Sequence, residues 1–191
     1  MPTSGVRRFN RKAAALAAIA LTAFAPVAEA CTRAVYTSAR GGVITARSMD
    51  FAVDIPTDLW VLPRGVARTG ETGANTLKWT SRYGSVVASG FDIATTDGVN
   101  EAGLNANLLW LVQSEYPEFT ETSRPGLAIS LWAQWALDNF ATVADAVAAL
   151  RAEPFTLATD DLPGQPGRRT TVHLSLSDAT GDSAIIEYVG G

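Results

Sequence analysis

From Thr32 onward the sequence breaks into short stretches in which apolar and polar residues alternate, and a single block of helical spacing interrupts them. A period of two marks half-buried strands, whereas recurrence at three and four marks a helix. Residues 32–37 alternate and are rich in β-formers; after a turn at 38–42, residues 43–51 read as the return strand of a hairpin. Further strands are expected at 57–63, 77–79 and 85–91, the last two joined by a turn at Arg82-Tyr83-Gly84. Asp97-Gly98-Val99-Asn100-Glu101-Ala102-Gly103 reads as a turn cluster, and 104–112 as another apolar strand. Strands this close in sequence favour antiparallel pairing.

The interruption begins after a polar, proline-bounded loop at 117–125. Ala128, Leu131, Trp132, Trp135, Ala136 and Phe140 then recur at helical spacing, which predicts one amphipathic helix over 127–140. Thr142 is a suitable N-cap for a second helix at 143–151, ended by Pro154. A loop at 160–169 precedes strands at 170–177 and 183–189 around the turn 178–182, a second hairpin. No repeat or linker divides the chain. Helices lying between two sheet-forming regions predict a layered α+β sandwich.

Ahead of all this stands a different kind of segment. Arg7, Arg8, Arg11 and Lys12 precede an apolar run over 13–27, and Ala28-Glu29-Ala30 supplies small residues at its end. That is the pattern of a secretory signal peptide over 1–30, which implies a periplasmic or secreted product. The run is short for a membrane span, which needs about 20 residues. Arg7-Arg8 hints at twin-arginine export, although the residues that follow fit that route poorly. Four of the 15 basic and one of the 19 acidic groups fall in this leader, which leaves 11 against 18 beyond it. A sequence with 47% hydrophobic residues overall and an acidic mature part is neither a nucleic-acid coat nor a disordered tail.

Cleavage after Ala30 makes Cys31, the one cysteine, the first residue of the product. A single cysteine and a single histidine exclude an internal disulfide framework, a Cys-rich zinc site and the HExxH motif. Two chemistries remain for such a cysteine. Acylation would make it a lipid anchor of a non-catalytic envelope domain, but Glu29 inside the processing box argues against that. The other is an N-terminal nucleophile. An α-amine titrates near ~7.7–8.0 and can act as general base, and a thiol near ~8.5 needs modest help to ionise.

The start Cys31-Thr32-Arg33, the segment Ala46-Arg47-Ser48-Met49-Asp50-Phe51 and the run from Thr96 to Leu104 together resemble the choloylglycine hydrolase family. Penicillin V acylases and bile salt hydrolases belong to it, within the N-terminal nucleophile hydrolases; Leu109-Trp110-Leu111 and the Ser175-to-Tyr188 pattern look most like Gram-negative penicillin V acylases. The resemblance implies an αββα sandwich over 31–191 and hydrolysis of a small-molecule amide without metal or organic cofactor. Its implied substrates are penicillin V, N-acyl homoserine lactones or conjugated bile salts, and its implied assembly for complete chains is a tetramer. It involves no nucleic acid and no membrane anchor once the leader is removed.

By the same resemblance Cys31 is the nucleophile, with Arg47 and Asp50 beside it. Asp50 would orient the α-amine and Arg47 would favour the thiolate by its charge; the plain alternative is an Arg47–Asp50 pair that stabilises a turn. Trp110 would line the substrate site and lend a backbone N–H to the oxyanion, and Phe51 would face the acyl group; core packing is the alternative for both. His173 reads as a satisfied core or surface residue, Trp132 and Trp135 as helix packing. Asn100 and Asn105 could serve an oxyanion, though turn chemistry accounts for Asn100. Family members continue well past this point and supply a further oxyanion-hole asparagine and an arginine. No position before Val189-Gly190-Gly191 matches these, so a partial, inactive hydrolase is a further expectation.

Overall fold

The structure is a computed structural model that describes residues 31–120, 122 and 124–190. The expected leader at 1–30 lies outside the described residues. β1 (Thr32–Thr37) and β2 (Val43–Ser48) form the first antiparallel hairpin, with Arg33 opposite Arg47 and Thr32 opposite Ser48. Its alternation is visible as burial: Arg33, Val35, Thr45 and Arg47 turn inward, while Tyr36, Ile44 and Ser48 face outward.

The strands that follow are β3 (Thr57–Leu62), β4 (Ala67–Thr69), β5 (Lys78–Thr80), β6 (Ser85–Gly90), β7 (Ala94–Asn100) and β8 (Asn105–Trp110). After β9 (Gly126–Ala128) come a 3₁₀ turn at Ile129–Leu131, α1 (Trp132–Asn139), α2 (Val143–Arg151), β10 (Thr156–Ala158), β11 (Val172–Ser177) and β12 (Ser183–Ile186). Six of them make the main sheet in the order β12-β11-β8-β7-β6-β3, with every pair antiparallel.

The two faces of this sheet are covered differently. α1 packs on one face, burying Trp132, Ala133, Ala136 and Leu137 against Val87, Ala106, Leu174 and Leu176. Gly98 on β7 makes that approach possible: a Cβ there would lie 2.7 Å from both Leu137 Cδ1 and Val87 Cγ1. The β1–β2 hairpin lies on the opposite face through polar contacts: Arg33 Nε donates to Asn107 Oδ1 at 2.7 Å, and Thr45 and Ser177 hydroxyls meet at 2.7 Å. Helix layer, sheet and facing hairpin reproduce the expected α+β layering. Beyond the hairpin the same face carries Leu59, Val61, Val86 and Val99 in exposed positions, with Val61, Val86 and Val99 in register across three strands.

Several boundaries differ from the expectations, each for a tertiary reason. The stretch 97–103 is not a turn cluster. Residues Asp97, Gly98, Val99 and Asn100 are the second half of β7, the first three paired on both sides, and the turn is confined to Glu101, Ala102 and Gly103. The predicted helix over 127–140 starts only at Trp132, because Gly126–Ala128 pairs in parallel with β10. Gly126 also admits Phe119 and Thr72, whose atoms would lie 2.6 and 2.3 Å from a Cβ there. The return strand stops at Ser48 rather than residue 51, and the turn after residue 80 does not make a hairpin, since β5 pairs with the unforeseen β4. The last strand ends at Ile186 rather than residue 189.

Candidate active site

A cavity of about 300 Å³ opens at the end of the main sheet where β7 begins and β8 ends. Cys31, Arg47, Phe51 and Trp110 all contribute to its wall, and most of the remaining lining is apolar. The hairpin brings the first two together. Arg33 stands opposite Arg47, so Cys31, two residues earlier on the same side of the strand, lies diagonally across from Arg47. Cys31 is half-buried and its thiol is free.

Arg47 is held from two directions. Its Nε lies 3.0 Å from Asp97 Oδ1, its Nη2 donates to the Leu108 carbonyl, and its side chain is 10% exposed. The carboxylate partner of Arg47 is therefore Asp97 and not Asp50, which removes the turn-stabilising alternative. Asp50 lies past the end of β2, exposed and outside the cavity wall. It accepts a hydrogen bond from Ser48 Oγ at 2.8 Å, and Ser48 Oγ accepts the Thr32 N–H at 3.3 Å. Asp50 is thus linked through one hydroxyl to the residue that follows Cys31.

Phe51 and Trp110 meet edge to face with centroids 5.4 Å apart, a favourable aromatic geometry. The Arg168 guanidinium lies 5.1 Å from the Phe51 ring and 5.0 Å from the Trp110 ring, over both. Arg168 belongs to the 160–169 loop, and Asp160, Asp161, Leu162 and Pro163 of that loop also line the cavity. Both rings therefore serve the cavity, while Trp110 also packs against the core.

Two residues of the site were not singled out from the sequence. Asp97 looked like a turn residue. Phe91 lines the cavity from the three-residue β6–β7 turn, in which Phe91 and Asp92 have φ of 54° and 57°. Left-handed backbone at an aromatic residue is uncommon, and nothing in Gly90-Phe91-Asp92 carries the usual Asn-Gly signal for it.

The other polar candidates are engaged elsewhere. Asn100 donates to the carbonyls of Leu137 and Phe140 at 2.8 and 2.7 Å and accepts the Leu104 N–H at 3.0 Å, so it closes the end of α1. Asn105 donates to the Gly98 carbonyl at 2.9 Å. His173 sits 3.8 Å from Glu187; burial pushes its pKa down, Glu187 opposes this and Arg33 adds to it. Trp132 and Trp135 are core residues. Among the described residues no group of three His, Cys, Asp or Glu side chains could hold a metal ion.

Comparison with known proteins identifies the family and the fold. The family model for linear amide C–N hydrolases, choloylglycine hydrolase family, matches residues 31–191. A penicillin V acylase of Pectobacterium atrosepticum is 51% identical over 193 residues, covering 97% of this chain and 51% of the relative. The solved penicillin V acylase from Agrobacterium tumefaciens is 56% identical, with a TM-score of 0.76 over 83% of this chain and 47% of that one. A mutant conjugated bile acid hydrolase from Clostridium perfringens shares the fold at a TM-score of 0.67 and 21% identity, over 84% of this chain and 48% of its own. The chain spans about half the length of these relatives. It belongs to the linear amide C–N hydrolases of the choloylglycine hydrolase family, with the N-terminal nucleophile hydrolase fold.

Proposed function

We propose that this chain, exported and processed to begin at Cys31, carries the nucleophile and acyl pocket of a penicillin V acylase-type amidohydrolase. The observation that carries the reading is that Cys31 and Arg47 share a cavity with the Phe51–Trp110 aromatic pair. The relatives above half identity are penicillin V acylases, and an aryloxyacetyl group suits an apolar, aromatic wall. The bile acid hydrolase supports the fold, not the substrate.

The reaction follows from the residues. The Cys31 sulfur, as thiolate beside the Arg47 cation, attacks the amide carbonyl and forms a C–S bond while the carbonyl electrons move to oxygen. Backbone N–H groups, that of Trp110 among them, receive the oxyanion. The C–N bond then breaks, and the amine leaves with a proton from the Cys31 α-ammonium. The freed α-amine takes a proton from water, whose oxygen attacks the thioester; the acid departs and the thiol is restored. Asp50 acts on this end of the chain through the Ser48 hydroxyl, which accepts the N–H of Thr32, the residue after Cys31.

The test is release of phenoxyacetate from penicillin V. Cys31→Ser abolishes it while the protein stays folded, because an alcohol is far less ionised than a thiol at neutral pH. Unchanged release by Cys31→Ser would refute the assignment.

A further inference from the structure

Arg47 is not held by the hairpin that carries it. Its Nε pairs with Asp97 on β7, and Asp97 Oδ1 also accepts the Asn107 Nδ2–H at 2.8 Å. Asn107 Oδ1 in turn accepts Arg33 Nε at 2.7 Å, and the Arg47 Nη2 is taken by the Leu108 carbonyl. Asp97 and Asn107 face each other across the β7–β8 ladder, so the backbone of the main sheet fixes the carboxylate. Arg47 Nη2 thus has a hydrogen-bond partner, whereas Nε, 3.0 Å from Asp97 in an ion pair, and Nη1 are both buried without one among the described residues. The guanidinium is thereby fixed by one ion pair and one hydrogen bond to the main sheet, on the wall it shares with Cys31.

We infer that Asp97 is a positioning residue: it sets the Arg47 guanidinium, across the two layers of the sandwich, at the place where its charge serves the Cys31 sulfur. The inference rests on the reading that Arg47 supports the Cys31 thiolate. It assigns a second purpose to a polar layer that would otherwise only bind the hairpin to the sheet. An aspartate suits this task because a short side chain on a paired strand has little freedom. Its charge also offsets the cost of burying the guanidinium.

Because Cys31 is the one cysteine, the rate of its alkylation by iodoacetamide in the full chain reads a single thiol without requiring turnover. At pH 7, Arg47→Ala slows alkylation on the order of tenfold, the effect of losing a nearby cation. Asp97→Ala slows it comparably, and the double variant is no slower than Arg47→Ala alone, since Asp97 acts only through Arg47. Asp97→Asn, which keeps the size of the side chain facing Arg47 Nε but not its charge, slows alkylation less than Asp97→Ala. Should Asp97→Ala fail to fold, Asp97→Glu carries the same test: it keeps the charge, moves the guanidinium, and slows alkylation only when Arg47 is present. Thr45→Val, which removes another inter-layer hydrogen bond, leaves the rate unchanged. The inference is overturned if Arg47→Ala slows alkylation and the Asp97 variants do not. It is equally overturned if Asp97 effects persist without Arg47, or if Thr45→Val matches them. If Arg47→Ala has no effect, the assignment of Arg47 itself fails, and the inference with it.

Discussion

Phe91 shows what a single residue gives up to build this pocket. Its φ of 54°, next to 57° at Asp92, puts two consecutive side-chain-bearing residues in the left-handed region. Such conformations cost about 1–2 kcal/mol for most L-residues and less for aspartate, and they collect at functional positions. Phe91 uses its conformation to reach the cavity wall, while Asp92 is exposed and lines nothing. Asp92→Gly should therefore stabilise the protein by up to about 1 kcal/mol, read as a raised urea midpoint, with the pocket intact. A lowered midpoint would mean that the aspartate side chain repays its own strain. Residue chemistry of this kind was partly legible beforehand. Cys31 and Arg47 announced themselves by position and by resemblance, and the structure puts them on one cavity wall. Asp50 was expected beside the cysteine and is linked through the Ser48 hydroxyl to Thr32, the next residue. Phe91 and Asp97 were illegible, because a left-handed phenylalanine has no sequence signal and an Asp-Gly pair looks like a turn wherever it occurs.

At the level of elements, the short ribbon β4–β5 and the helix α2 are each held by one buried carboxylate. Asp138 at the end of α1 is 1% exposed; Arg68 Nε meets its Oδ2 at 2.7 Å, Trp79 Nε1 donates at 2.8 Å and Gln134 Nε2 donates to Oδ1 at 2.7 Å. Asp138→Ala leaves Arg68 buried without its counter-charge, and a loss of about 3–5 kcal/mol in unfolding free energy is expected from denaturant titration. Asp178, in the β11–β12 turn, accepts the Val143 N–H at 2.9 Å and so caps α2 from another element. Burial pushes its carboxyl up, but hydrogen bonds from the Thr180 hydroxyl and from the Val143 and Thr180 N–H groups prevail and hold it below its ordinary 3.8. A carboxyl with a depressed folded value stabilises above its unfolded value and loses that contribution as pH falls through the folded one. Wild type should accordingly lose stability as pH drops below about 3.8, and Asp178→Asn should show a flatter profile there; parallel profiles would contradict this. Elements were legible where burial follows local pattern, as in the two terminal hairpins and α2. They were misread where pairing overrides it: β9 is drawn out of a helical pattern by β10, and β7 runs through Gly98 because the helix needs that gap.

For the whole molecule, the facing hairpin covers only part of the main sheet, and Leu59, Val61, Val86 and Val99 stand exposed beside it. An apolar row of this size should bind the dye ANS in the folded state, and Val61→Thr with Val86→Thr should lower the signal without lowering the thermal midpoint. Undiminished dye binding would place the apolar surface elsewhere. The layers otherwise converge on one point: the hairpin delivers Cys31, the sheet fixes Arg47 through Asp97, and the rim loops close an aromatic wall around them. The most direct test of that convergence is intact-mass and peptide-mapping spectrometry of the exported protein after brief mixing with penicillin V. The account predicts a chain beginning at Cys31 with one phenoxyacetyl group on its sulfur. A retained leader, a diacylglycerol on the thiol, or no phenoxyacetyl adduct on Cys31 would contradict it.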